Sequence, residues 1–127
     1  MSNESYKGVY FDNTKGVFNG KIMVRPDAQK INAFQSNNNL LFSDSASIKT
    51  KPQLEIYADD VKCSHGSTIG PIDENAIFYL RSRGMSKIAA TKILISSFIN
   101  EELSSIDNEQ MSEIIQKKLV RYLSKVK

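Results

Sequence analysis

The one histidine and the one cysteine of the chain stand two residues apart, in Asp59-Asp60-Val61-Lys62-Cys63-Ser64-His65-Gly66. In extended backbone, residues two apart project to the same face, so Cys63 and His65 would present a thiol and an imidazole side by side. Such a pair suits zinc, copper or the iron of an iron–sulfur cluster. Two soft ligands only half fill a tetrahedral shell, since a structural zinc takes four. A metal site here has to be completed across an interface. The plainer alternative is a packed thiol beside a histidine bonded to a local carbonyl. Covalent catalysis by Cys63 needs a base and a group to orient it; His65 and Asp59 or Asp60 supply both, but no oxyanion element accompanies them. Asp59 and Asp60 alternate faces on a strand and do not form a glycosidase pair. Gly66-Ser67-Thr68-Ile69-Gly70 lacks the Lys-Ser/Thr ending of a phosphate loop, so the chain is not expected to hydrolyse ATP. The expectation is a chain without catalysis of its own.

Two kinds of element have to position these residues. Through residue 70 the apolar residues come in short alternating bursts: Ile22 with Val24, Leu40 with Phe42, Leu54 with Ile56. Turn-formers lie between them at Asn19-Gly20, Arg25-Pro26-Asp27, residues 36–39, residues 43–47 and Lys51-Pro52. This pattern predicts at least four short strands, without deciding between a small sandwich and stacked solenoid rungs. Asn37-Asn38-Asn39 reads as a bend or a stacked polar turn.

From Pro71 onward the period becomes helical. Asp73 caps a first helix holding Ile77, Phe78, Tyr79 and Leu80, ended by Gly84. Ser86 starts a second, to about residue 102, whose Ile88, Ala89, Ile93, Leu94, Ile95, Phe98 and Ile99 fill nearly the whole circumference and predict burial all round. Asp107 with Gln110 reads as a capping box for a third helix. Its Met111, Ile115, Leu119, Tyr122, Leu123 and Val126 form one apolar stripe. The chain thus divides into a β region, residues 1–70, and a helical region, residues 71–127.

Composition narrows the classes. With 127 residues, 40% hydrophobic and 24% charged, the chain is of globular type and long enough for one core. No apolar run approaches the ~20 residues of a membrane span. Residues 1–7 lack the apolar stretch of a secretory signal, and a lone cysteine suits a reducing cytoplasm. Residues 101–113 hold five acids and no base, after which Lys117, Lys118, Arg121, Lys125 and Lys127 follow without an acid. A basic stripe of this kind would fit nucleic acid, but it lacks interleaved aromatics and the net charge is only +3, which favours a solvated helix end.

Taken whole, residues 59–85, from Asp59-Asp60-Val61-Lys62-Cys63-Ser64-His65-Gly66 through Leu80-Arg81-Ser82-Arg83-Gly84-Met85, resemble the signature of the SufB/SufD family. Arg25-Pro26-Asp27-Ala28-Gln29-Lys30, Asn37-Asn38-Asn39-Leu40-Leu41 and Thr50-Lys51-Pro52-Gln53-Leu54-Glu55 resemble the same family in the same order. The Cys-Ser-His-Gly form and the run ending at Gly84 resemble its SufD side, because SufB-like sequences tend to place a histidine flanked by glutamates there. Ser67 stands where SufD chains usually carry alanine, a small-for-small change.

The resemblance implies the last rungs of a right-handed parallel β-helix followed by a small three-helix C-terminal region. It implies a non-catalytic scaffold of the iron–sulfur assembly machine, pairing with SufB and binding the ATPase SufC. SufC would dock on residues 71–127, where Phe78, Tyr79, Arg81, Arg83 and Gly84 are the candidate contacts. The SufB interface would use the last β strands, with His65, and less directly Cys63, at a transient cluster shared with the partner. No cofactor is expected to stay bound to this chain alone. Family members are several times longer, so the chain reads as a C-terminal part. Exposed end strands then predict a homodimer or higher oligomer through the β region. Two other classes compete: a β-helix piece of a carbohydrate-active protein, weakened by the absence of Trp, and a small basic nucleic-acid-binding module.

Overall fold

The computed structural model describes residues 1–126 and separates into two compact units, Met1–Ile72 and a second that begins at Asp73. The first holds five strands, β1 (Ser2–Tyr10), β2 (Lys15–Val24), β3 (Ile31–Leu41), β4 (Ser47–Ile56) and β5 (Val61–Pro71). The second holds three helices, α1 (Glu74–Ser82), α2 (Lys87–Leu103) and α3 (Glu109–Leu123). Strands come first and helices second, as the change of period predicts.

Odd and even strands sort into two small sheets. One has the order β1-β3-β5 and the other pairs β2 with β4, and every pairing is parallel. Ser2 is level with Ala33, Ile31 with Val61 and Lys15 with Ser47, so the chain returns to the same sheet after each pair of strands. The corners repeat with the strands. Phe42 N–H donates to Tyr10 C=O, Tyr57 N–H to Val24 C=O and Ser47 N–H to Thr14 C=O. Phe11 and Phe42, one such return apart, stack at 4.9 Å.

The strands are longer than the turn-formers predict. Asn19-Gly20 lies inside β2, residues 36–39 inside β3 and Lys51-Pro52 inside β4, so these are not turns. Parallel pairing carries the backbone through each, although Asn39 Oδ1 stays buried without a partner. Asn37 and Asn39 are buried on the inner face of β3, where Asn39 Nδ2 donates to Asn37 Oδ1 at 2.7 Å and to Thr68 C=O at 3.2 Å. Asn38, facing outward, accepts from Thr68 Oγ1 at 2.8 Å. Pro52 falls on a strand with a neighbour on one side only, where the missing N–H is tolerated. Arg25-Pro26-Asp27 and residues 43–46 do form corners, with residue 47 opening β4: Ser45 Oγ donates to Asp12 C=O at 2.7 Å, and Ser43 Oγ donates there too. Val24, Ala33, Ala46, Ile48 and Ala58 supply the buried apolar side chains of this unit.

The helix ends are set by local bonds. Asp73 accepts from Asn75 N–H at 2.9 Å and Ser86 from Ala89 N–H at 3.2 Å. At the end of α1, Met85 N–H reaches Leu80 C=O and Gly84 N–H reaches Arg81 C=O, a crossed pair that requires a left-handed residue; Gly84 has φ +92°. The third cap differs by one residue from the Asp107–Gln110 box. Asn108 is the cap and accepts from Met111 N–H at 2.9 Å, leaving no carboxylate or amide to reach back.

Burial in the helices is thinner than the periodicity predicts. In α2 only Ala90 and Ile95 are buried, while Ile88 and Ile93 stay 45% and 44% exposed. The α3 stripe buries no residue, and Met111 and Tyr122 are exposed. Three short helices offer too little apolar surface to enclose the middle one. The all-round burial expected of α2 is therefore corrected to burial at Ala90 and Ile95 only, with Ile77 buried on α1.

Candidate functional site

Cys63 and His65 are carried by β5, the strand at one rim of the three-stranded sheet. Parallel partners in register share a face, and Cys63 is level with Ala33 and His65 with Gln35. Ala33 and Gln35 are buried, so the thiol and the imidazole occupy the inner side of the sheet. β5 has β3 on one flank only, and cover over that inner side gives out along it. Cys63 is half-buried and His65 exposed. The two residues thus share a face, as their spacing predicts, at an unpaired rim. Asp59 and Asp60 lie in the loop before β5, outside this face. Among the described residues no three His, Cys, Asp or Glu side chains gather closely enough to hold a metal ion.

A row of polar side chains leads to His65 along the inner side. Glu4 is level with Gln35, and Gln35 with His65. Gln35 Nε2 donates to Glu4 Oε2 at 2.9 Å, while its own Oε1 is buried without a partner. One step along, Ser67 Oγ donates to Thr50 Oγ1 at 3.0 Å, joining β5 to the other sheet. Sequence reasoning missed this row. Its only signal is that Gln35, Asn37 and Asn39 stand two apart, a period that also fits an exposed polar face.

In the helical unit, α1 buries Ile77 and turns Phe78 (74% exposed) and Tyr79 (57%) outward. Arg83 Nη2 donates to the Tyr79 hydroxyl at 3.3 Å, and its guanidinium lies 5.4 Å from that ring's centroid. Arg81 and Gly84 are also exposed. These five residues line up along one short helix and its end. Of the basic residues near the C-terminus, Lys117 pairs with Glu113 at 3.5 Å and Lys125 lies 5.4 Å from the Tyr122 ring centroid; Lys127 lies outside the described residues.

Residues 1–98 match the family described as SUF system FeS cluster assembly, SufBD core domain. The chain is 46% identical over 112 residues to the iron-sulfur cluster assembly protein SufD of Escherichia coli, which covers 88% of this chain and 26% of that protein. It is 45% identical over 105 residues to an iron-sulfur cluster assembly SufBD family protein of Synechocystis, covering 83% and 23%. It is 33% identical over 118 residues to the SufD protein of Bacillus subtilis, covering 93% and 26%. The chain belongs to the SufBD core family of the SUF system, and it spans from 23% to 26% of the length of these three relatives. No helix among the described residues is long and apolar enough to cross a membrane.

Proposed function

We propose that the chain is a SufD-like scaffold piece of the SUF assembly complex, without catalysis of its own, working in the cytoplasm. The observation that carries this reading is the exposed His65 beside Cys63 on the inner side of an unpaired edge strand. Two ligands at a rim are half of a coordination shell. A second chain that extended the sheet at β5 would bring the other half and cover the ring. Imidazole serves as an iron ligand in some two-iron clusters, so a nascent cluster shared transiently between two chains fits this donor set. The parallel returns between two sheets support reading the β unit as rungs of a right-handed parallel β-helix, with open end strands for SufB. Without SufB, the same strands would join copies of this chain.

The helical unit is the proposed SufC contact. Phe78, Tyr79, Arg81, Arg83 and Gly84 offer an exposed aromatic and guanidinium surface, the composition enriched at binding hot spots. The mechanism is positional: SufC movement acts on the helices, and the β interface rearranges around His65. The test is capture of purified SufC and SufB, together with cluster yield for a full-length chain carrying His65→Ala. Capture of both, with cluster yield lost and the fold retained, is the expected result. Unchanged yield removes His65 from the mechanism, and failure to capture either partner removes the scaffold reading.

A further inference from the structure

The β2–β4 sheet has an outer face that the cluster reading does not use. On it, residues of β2 stand level with residues of β4: Lys15 with Ser47, Val17 with Lys49, Asn19 with Lys51, and Lys21 with Gln53. Each of four successive rows therefore carries one lysine, and all four are exposed. The one carboxylate on the face, Glu55, accepts from Lys21 Nζ at 3.1 Å. Lys15, Lys49 and Lys51 have no ion-pair partner among the described residues. The acids of the β unit lie elsewhere: Asp12, Asp27, Asp44, Asp59 and Asp60 sit at the corners and Glu4 on the inner side. A unit of nearly balanced charge thus concentrates positive charge on one sheet face.

We infer that the outer face formed by Lys15, Lys21, Lys49 and Lys51 binds an acidic polypeptide segment of a partner in extended conformation. Three features select this occupant. Rows on one face of a strand repeat every two residues, roughly 6.6 Å, which is also the spacing of carboxylates at alternate positions of an extended chain. Four exposed lysines face one carboxylate, Glu55, so the occupant has to bring several negative charges. It carries no aromatic side chain among the described residues, so it offers no platform for stacked bases of single-stranded nucleic acid. Val17, 71% exposed and level with Lys49, and Met23, 51% exposed and level with Glu55, give apolar contact beside the lysines. The inference is independent of His65 and of the cluster.

The test measures fluorescence anisotropy of a labelled Glu-Ser repeat peptide of about twelve residues, extended over roughly 40 Å. The 127-residue chain is titrated into the peptide at low and at physiological salt. A Lys-Ser repeat and an oligothymidylate of matching length serve as comparators. The acidic peptide should bind, and affinity should fall about tenfold or more as salt rises and screening shortens to about 8 Å. Lys15→Glu/Lys49→Glu/Lys51→Glu should abolish binding. The milder Lys→Gln set at the same positions should weaken it about tenfold while the circular dichroism spectrum is kept. Lys117→Glu/Lys118→Glu should change nothing. Absence of binding, equal binding by the Lys→Gln set, or tighter binding of the oligothymidylate each overturns the inference. So does a Lys→Gln set that alters only the oligomeric state, since the lysines would then serve to keep copies apart.

Discussion

Gly20 and Gln35 face each other across the interior of the β unit so closely that a Cβ at position 20 would overlap Gln35 Oε1. The amide cannot easily retreat, because Nε2 is held by Glu4 and the side chain is 4% exposed. Gly20→Ala would also bring the new methyl to 2.8 Å from Phe18 Cε1. Overpacking of this kind costs about 1–3 kcal/mol, offset in part by the lower unfolded-state entropy of alanine. Urea denaturation should show a net loss of about 1–2 kcal/mol. The double variant Gly20→Ala/Gln35→Ala should recover part of it, because the two positions touch and their effects are not additive. A Gly20→Ala protein as stable as the parent would show that the two sheets lie further apart.

Adjacent asparagines of β3 should behave very differently. Asn39 is 2% exposed and donates to Asn37 Oδ1 in the interior and to Thr68 C=O at a half-buried position, so Asn39→Ala removes both bonds and leaves a cavity, while loss of its buried, unpartnered Oδ1 offsets part of the cost. A loss of about 2–3 kcal/mol is expected. Asn38 faces outward and makes one exposed bond to Thr68 Oγ1, so Asn38→Ala should cost no more than about 1 kcal/mol. Equal losses at the two positions would contradict the assigned alternation.

These asparagines also show where the sequence stops being informative. Asp73, Ser86 and Gly84 are readable because each acts on backbone groups two to four residues away. Asn37, Asn39, Gly20 and Pro52 read as turn residues because the groups that accommodate them belong to other strands: Thr68 for Asn39, Gln35 for Gly20, and the open flank of β4 for Pro52. No local pattern records those neighbours. The site divides in the same way. That Cys63 and His65 share a face follows from their spacing, whereas their place at an unpaired rim follows from strand order. Gln35, the polar neighbour level with His65, is visible only in the register.

The helix caps give a test at single-residue resolution. Asn108 holds the α3 N-terminus through Met111 N–H, and Asp107 makes no such bond. Asn108→Ala should cost about 1 kcal/mol, and Asp107→Ala only a few tenths from lost charge at the dipole. Thermal melts followed at the helical circular dichroism band should separate the two. A larger effect at Asp107 would move the cap back by one residue.

Exposure of the imidazole is open to direct chemical test, because His65 is the sole histidine and its acylation by diethyl pyrocarbonate gives one unambiguous signal. At high dilution, where copies are apart, the exposed ring should react readily. Addition of a chain that pairs with β5 should slow the reaction several-fold by covering the rim. Slow acylation at high dilution, where copies are apart, would mean that the ring is covered within its own chain.

Ile93 and Ile95 lie two residues apart on α2 and should respond in opposite ways to truncation. Ile95 is 1% exposed, the largest fully buried side chain among the described residues, so Ile95→Ala should cost about 2–4 kcal/mol and lower helical content. Ile93 is 44% exposed, and its replacement by Gln removes apolar surface that water already reaches. That change should stay within about 1 kcal/mol for the chain alone. If α2 is a docking face, the order reverses for partner capture: Ile93→Gln should weaken it with the fold intact. A large stability loss at Ile93 in the monomer would instead restore the all-round burial that the hydrophobic pattern of α2 predicts.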